Sequence, residues 1–204
     1  MLASHIDTII FDFGGVLLNL DKQACINAFA KLGCDIAPYV DNYRQKGLFL
    51  LFEEGKISND EFFCELKKIV GNRCSDEDIM WAYKQFLTDL PQEKLDLILR
   101  LHQHYKIFLF SNINQFVFDY CRQLYFETQG HTLSDFFDKT YLSFQMGVCK
   151  PDERMYRKMI ANAGIEPRNC FYLDDSTANI QTGMQLGFNC YQPKINENFS
   201  FLFE

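Results

Sequence analysis

The sequence lacks the features of several specialised protein classes. Its 20 Lys and Arg residues, against 27 Asp and Glu, give a net charge of −7 and form no basic cluster, so a nucleic-acid partner is not expected. No apolar run approaches the roughly 20 residues that a membrane helix needs. The first residues carry no positively charged segment, which argues against a secretory signal. There is no internal repeat and no low-complexity tract.

Cysteine is present, but not in the patterns of a structural framework. The eight cysteines form no Cys-x-x-Cys pair and no paired Cys/His spacing, which argues against a zinc site. We expect reduced, mostly buried thiols in a cytoplasmic protein. With 204 residues, 48% of them hydrophobic, the chain suits one domain or one domain carrying an insertion.

The most informative stretch lies near the start, where the run Ile9-Ile10-Phe11 ends in Asp12 and is soon followed by Gly14 and Gly15. A continuous apolar run of this kind is typical of a parallel strand buried on both faces. Asp12 would then lie at the carboxyl end of the strand, where open α/β sheets bind ligands. A simple loop cap is the alternative for a single Asp.

The rest of the chain changes pattern once. Residues 17–91 are predicted to be almost entirely helical, with a capping box at Ser58 and Glu61 and a helix stop at Gly71. Beyond residue 91, strands at 107–110, 140–144, 170–173 and 188–191 alternate with helices at 92–104, 115–125, 153–163 and 178–186. This alternation predicts an α/β fold, a Rossmann-like parallel sheet with helices on both faces, together with a small helical insert after the first strand.

Polar residues follow several of these strands, and a further one precedes a helix. Each has a structural alternative, as a helix cap or a surface lysine, but parallel strands bring their carboxyl ends to one edge of the sheet. Carboxylates gathered there would repel unless a cation such as Mg²⁺ neutralised them. Asp12 could then act as a nucleophile in phosphoryl transfer through an aspartyl phosphate, helped by a lysine. The residues are Asp12, Ser111, Asn112, Lys150, Asp174 and Asp175.

Taken in order, these residues resemble the four motifs of the haloacid dehalogenase-like hydrolase superfamily. The motifs span most of the chain, from about residue 6 to residue 192. The segment Phe52–Ser58 also resembles the C1-type cap of the branch that hydrolyses sugar 1-phosphates. The motifs are Phe11-Asp12-Phe13-Gly14-Gly15-Val16, Phe110-Ser111-Asn112, Lys150-Pro151-Asp152 and Leu173-Asp174-Asp175-Ser176-Thr177-Ala178-Asn179.

The resemblance implies a domain division and a metal site. A core of residues 1–18 and 91–204 would carry a cap of residues 19–90. Asp12 would be the nucleophile and a ligand of Mg²⁺, together with the carbonyl oxygen of Gly14 and the carboxylate of Asp175. Asp174 would be a further ligand, or it would hold the ligands in place without binding the metal itself.

The resemblance also implies a phosphate site and a substrate class. Ser111 and Lys150 would bind the phosphoryl group with help from Asn112, and Asn179 would orient the acidic loop. The substrate would be a small phosphorylated metabolite, with a sugar phosphate as the first choice. The cap would select it, and Tyr39, Tyr43, Arg44 and Trp81 are nominated as pocket residues, each with a purely structural alternative.

One position departs from the motif. Phosphatases of this superfamily usually carry a second Asp two residues after the nucleophile, where it protonates the leaving group, and here that position is Gly14. General acid–base help is typically worth about 10²–10⁴-fold in rate. A cap residue or a water could substitute, with Asn19 and Asp21 as nearby choices. Otherwise the substrate has a good leaving group, or turnover is lost.

Three functions therefore stay open at this point. The first is a magnesium-dependent phosphatase. The second is a catalytically silent binding or regulatory protein, because of Gly14. The third is a metal-independent 2-haloacid dehalogenase, which the Asp174-Asp175 pair disfavours. The charged residues Glu53 and Glu54 of the insert are expected on solvated faces, and the apolar tail at 199–203 is expected to pack on the core or on a partner chain. Oligomeric state is left open.

Overall fold

The computed structural model describes residues 2–38, 45–70 and 74–204, and a sheet of five parallel strands forms its centre. The spatial order of the strands is β3-β2-β1-β4-β5. Strands β2 and β3 therefore lie on one side of β1, and β4 and β5 lie on the other. The carboxyl end of β1 is therefore the switch point at which open α/β sheets bind ligands. The strands are β1 (Thr8–Phe11), β2 (Lys106–Ser111), β3 (Lys139–Leu142), β4 (Cys170–Leu173) and β5 (Asn189–Tyr191).

Helices connect the strands and also form a group of their own after β1. The α-helices described are α1 (Lys22–Lys31), α2 (Gly47–Glu53), α3 (Asn59–Val70), α4 (Asp76–Lys84), α5 (Gln92–Leu101), α6 (Gln115–Cys121), α7 (Leu133–Phe136), α8 (Ser143–Met146), α9 (Glu153–Ala163) and α10 (Thr177–Gln185). A π-helical turn follows α6 at Arg122–Phe126, and 3-10 turns lie at Pro167–Asn169 and Ser200–Phe203.

Both faces of the sheet are covered, as continuous apolar strands require. Successive side chains of a strand point to opposite faces, and Ile9 and Phe11 lie in one apolar cluster with Ile98 of α5. Ile10 lies in a second cluster with Met155 of α9, on the other side. The predicted parallel sheet with helices on both faces is confirmed.

Helices α1 to α4 have a separate apolar core, whose buried members include Phe29, Phe49, Phe62 and Ile79. Two chain segments run antiparallel where this group joins the sheet, with Asn19 N–H donating to the Asp89 carbonyl and Thr88 N–H to the Asn19 carbonyl. The capping box at the start of α3 is confirmed, because Ser58 and Glu61 bond each other's backbone N–H groups. Gly71 lies outside the described residues, and the boundaries 18/19 and 90/91 of the cap stay predictions.

The sequence misplaced several element ends. The helix predicted at 115–125 is α-helical only to Cys121 and then widens into the π-helical turn, which delivers Phe126 into the core against Phe13 and Phe137. The strand predicted at 140–144 ends at Leu142, because the next residues begin α8. Here tertiary packing overrides local pattern.

The apolar tail packs on the core of its own chain. Phe199 is 1% exposed, and its ring lies 5.8 Å from that of Phe11. Phe203 reaches Phe171 on β4. All eight cysteines are described, and all are free thiols, of which five are buried.

Within the described residues, no helix has the length and apolarity that crossing a membrane would require.

Candidate active site

The carboxyl ends of β1 and β4 bring three carboxylates to one point. Asp12 follows β1, and Asp174 and Asp175 follow β4, with one oxygen of each lying within 4.8 Å of the others. All three side chains are buried. Register explains the meeting, since Phe11 pairs with Leu173 and the two strands end side by side. The prediction that these positions share one edge of the sheet is therefore correct.

A lysine from a separate loop completes the cluster. Lys150 is fully buried, and its Nζ donates to Oδ2 of Asp174 at 2.6 Å and to the Phe110 carbonyl at 2.7 Å. The same nitrogen lies 3.1 Å from Oδ1 of Asp12. An ammonium has three N–H groups, and all three have acceptors here. The alternative of a surface lysine is wrong, and the first effect of Lys150 is to neutralise and hold two carboxylates.

Asp174 is tied down from several sides. Its Oδ1 accepts from Ser176 N–H at 2.9 Å and from Asn179 Nδ2 at 2.9 Å. Its Oδ2 accepts from Lys150 and from the hydroxyl of Tyr172. A carboxylate with this many donors is a rigid support for its neighbours, and the expected orienting contact of Asn179 is present. Ser176, and not the acidic pair, occupies the N-cap position of α10.

The second motif serves the same loop. The Asn112 side chain donates to the Lys150 carbonyl at 2.9 Å and accepts from Lys150 N–H at 2.7 Å, so it fixes the backbone beside that lysine. Ser111 is 2% exposed and lines the cavity in front of Asp12. Asn114, not the Ser111-Asn112 pair, caps α6, through Val117 N–H.

Burial makes these carboxyl groups reluctant to ionise without a cation. Burial raises the pKa of Asp12 to about 7, and the negative charge of Asp174 adds to the effect while Lys150 opposes it. Burial likewise raises the pKa of Asp175 to about 8, with the charges of Asp12 and Asp174 adding to it. One lysine therefore does not balance three carboxylates.

The donor set fits a hard divalent cation. It consists of oxygen atoms only, and it carries more negative charge than Lys150 neutralises. Mg²⁺ prefers such a set of a few carboxylate oxygens, with water and phosphate oxygens completing its shell. Gly14 lines the same cavity, while the predicted role of its carbonyl oxygen as a ligand stays a prediction.

The cavity in front of the cluster also contains residues that the sequence did not single out. Glu53 and Phe49 of α2 line it, as do Tyr83 of α4 and Asn114. Glu53 is 9% exposed, so the expectation that it lies on a solvated face is wrong. The signal was available, because Glu53 lies four residues after Phe49 and so on the same face of α2.

Other nominated residues lie elsewhere. Asp21 caps α1 by accepting from Ala24 N–H, and Asn19 donates to Asp89, so neither of the two choices for the missing acid is among the residues lining the cavity. Trp81 is 46% exposed and is also absent from the lining. The remaining nominees, Tyr39, Tyr43 and Arg44, lie outside the described residues.

Comparison with known proteins finds relatives along nearly the whole chain. Residues 6–187 match the haloacid dehalogenase-like hydrolase family. A D-ribitol-5-phosphate phosphatase of Bacteroides thetaiotaomicron is 38% identical over 190 residues, which cover 93% of this chain and 92% of that one.

Solved structures are similar over the same extent. One is a haloacid dehalogenase (HAD) family enzyme from Bacteroides thetaiotaomicron in complex with magnesium and inorganic phosphate. Its TM-score is 0.91 and its identity 36%, and the match covers 98% of this chain and 100% of that one. A predicted HAD-like family hydrolase from Porphyromonas gingivalis has a TM-score of 0.90 and 38% identity, with coverage of 98% and 97%.

Proposed function

The chain belongs to the haloacid dehalogenase-like hydrolase family, and from this premise we propose that it is a magnesium-dependent phosphatase of a small phosphorylated metabolite. A sugar or sugar-alcohol phosphate is the favoured substrate. The observation that supports this most strongly is the gathering of Asp12, Asp174 and Asp175 with Lys150 at the switch point of the sheet. An oxygen-only, negatively charged site beside a nucleophilic carboxylate suits phosphoryl transfer.

Asp12 is the proposed nucleophile. Its Oδ1 accepts from Phe13 N–H at 2.6 Å and lies against Lys150, and these contacts hold the carboxylate in one orientation. Oδ2 is then the oxygen that attacks phosphorus to form the aspartyl phosphate. Fixing the reacting group in advance lowers the entropic part of the barrier.

Asp12, Asp175 and the carbonyl oxygen of Gly14 are the proposed magnesium ligands, and Asp174 supports the site through its bonds to Lys150 and to Ser176 N–H. When bound, the cation would supply charge neutralisation for the transferring phosphoryl group. Asp174 suits the supporting role because its two oxygens already accept from four groups.

Ser111, Asn112 and Lys150 are the proposed phosphate-binding residues. Ser111 has a hydroxyl at the cavity wall that can donate to a phosphoryl oxygen. Lys150 acts first through its charge, because donating to a phosphoryl oxygen requires it to release one of its three present acceptors. The Asn112 side chain acts through the Lys150 backbone, which it holds in place.

Phosphate release from a panel of phosphoesters, with and without added Mg²⁺, tests the proposal. The panel includes an aryl phosphate, pentose and hexose phosphates and pentitol phosphates. We expect release that needs Mg²⁺ and that chelation abolishes. Absence of release from every ester, with Mg²⁺ still bound by calorimetry, would support the silent binding protein instead. Halide release from a 2-haloacid without metal would support the dehalogenase.

We further propose a cytoplasmic location and no nucleic-acid partner. Eight free thiols are compatible with a reducing compartment, and the net charge of −7 disfavours binding to a polyanion. Size-exclusion chromatography with light scattering would establish the oligomeric state.

A further inference from the structure

To hydrolyse an alkyl phosphate, a phosphatase with glycine at position 14 needs another source for the leaving-group proton. Of the described residues that line the cavity, five titrate, and two of them, Asp12 and Asp175, belong to the proposed nucleophile and metal site. Burial raises the pKa of Cys25 to about 12 and raises that of Tyr83 well above its ordinary value, which makes both very weak acids. The group that is left is the carboxyl of Glu53.

The position of Glu53 is set by the sheet-bearing part of the protein. Its carbonyl oxygen accepts from Ser143 Oγ at 2.7 Å, and the same hydroxyl also bonds the backbone of Ile113, in the loop that follows β2. Gly55, with φ of +62°, passes so close to the Phe144 carbonyl that no Cβ would fit. These contacts fix the end of α2 beside the carboxyl edge of the sheet, where Glu53 is one of the residues that line the cavity.

The surroundings of Glu53 favour its protonated form. Burial raises its pKa to about 8, the charges of Asp12 and Glu54 add to the effect, and Lys150 opposes it. In the described part of the chain, no group forms a hydrogen bond with the Glu53 carboxyl. A structural hydrogen bond there therefore does not explain why this acid is buried. Glu54 differs, since it is ion-paired with Lys56 at 2.7 Å.

We propose that Glu53 is the general acid and base of the reaction, supplied by α2 in place of a side chain at position 14. The role rests on the proposed function. As Oδ2 of Asp12 bonds to phosphorus, the ester P–O bond breaks and the leaving oxygen takes the proton of Glu53. Water then attacks phosphorus and gives a proton back to the Glu53 carboxylate, while the bond between phosphorus and Oδ2 of Asp12 breaks and the Asp12 carboxylate takes the electron pair. Inorganic phosphate leaves, and Asp12 and protonated Glu53 are restored.

Glu53→Gln tests the role through its dependence on the leaving group. We compare the first turnover on an alkyl phosphate with that on p-nitrophenyl phosphate, whose leaving group needs no proton. With the alkyl ester, the first turnover should slow by about 10²–10⁴-fold. With the aryl ester, the variant should keep a burst of one nitrophenolate per active site, followed by slow turnover because the base for water is missing.

Three further variants sharpen the test. Glu54→Gln, the neighbour on the same helix end, should slow the alkyl ester far less than Glu53→Gln does, because Glu54 acts on Glu53 only through its charge. Glu53→Asp keeps a carboxyl and should fall between wild type and Glu53→Gln with the alkyl ester. Adding Gly14→Asp to Glu53→Gln should recover at least about tenfold of the lost rate, within the ordinary worth of an acid. The new side chain would meet the flexible end of Leu20, at 3.0 Å from Cβ.

The outcomes separate this inference from the proposed function. If wild type releases no phosphate from any ester of the panel, the proposed function falls and the role of Glu53 falls with it. If wild type turns over and Glu53→Gln slows both first turnovers equally, or neither, Glu53 is not the acid. Thermal unfolding of each variant, at a fixed magnesium concentration, shows whether a lost rate reflects a lost fold.

Discussion

A Cβ atom on residue 15 would lie less than 3.0 Å from Oδ2 of Asp175, so the carboxylate occupies space that only glycine leaves free. Gly15 also has φ of +77°, in the left-handed region that side chains disfavour. The position of the Asp175 carboxylate therefore depends on glycine at position 15. Any residue with a Cβ atom there would force the carboxylate to move.

Gly15→Ala should weaken the metal site and not only the fold. Gly33→Ala is the matched control, since Gly33 has φ of +80° and nothing within 4 Å of its would-be Cβ. Both variants pay the left-handed cost of about 1–2 kcal/mol in the free energy of unfolding. Only Gly15→Ala should also displace Asp175 and raise the Kd for Mg²⁺ in calorimetry. Equal magnesium affinity in the two variants would contradict the arrangement described above.

Asp12→Asn should abolish turnover and spare the fold. The covalent step needs a carboxylate, and loss of a nucleophile typically costs at least about 10³-fold in kcat. The amide replaces a buried carboxyl group whose pKa is already raised to about 7, so the free energy of unfolding should change little. Steady-state phosphate release and thermal unfolding measure the two effects. Activity retained within tenfold of wild type would exclude the aspartyl phosphate.

Glu53 should make the free energy of unfolding fall as pH rises. Its pKa is raised from 4.5 to about 8 in the folded state, so the folded protein binds more protons than the unfolded chain between these values. Glu53→Gln should therefore gain stability relative to wild type from pH 5 to pH 8, at fixed magnesium concentration, in urea titrations. A constant difference across this range would argue against a raised pKa. The groups that act on it, or on which it acts, are Asp12, Glu54, Lys150, Tyr83 and Cys149.

The tail offers a comparison of two phenylalanines that lie two positions apart. Phe199 is 1% exposed and Phe201 is 52% exposed. Phe199→Ala should lower the free energy of unfolding by about 3–5 kcal/mol, as buried Phe-to-Ala changes do. Phe201→Ala should change it by no more than about 0.5 kcal/mol. Similar urea midpoints for the two variants would mean that the tail does not pack on the core in solution.

The pattern of apolar runs and turn residues in the sequence predicted the sheet, its helices and most of the polar side chains that meet at its edge. Apolar runs that end in Asp12, Ser111 and Asp174 could be interpreted locally, because buried parallel strands need continuous apolar residues and their ends face one edge. The capping box of Ser58 and Glu61 gave the start of α3 for the same reason, since it depends on residues three positions apart.

The sequence by itself determined the parallel sheet with its helices and the placement of Asp12 and of the pair Asp174-Asp175 at strand ends, since each is marked by residues adjacent in the chain. Only the tertiary structure decided that Glu53 is buried in the cavity and that Lys150 has all three of its N–H groups engaged. Those facts depend on contacts between segments far apart in sequence, such as Ser143 with Glu53. The local sequence does not indicate which charged residue will be buried when distant elements pack together.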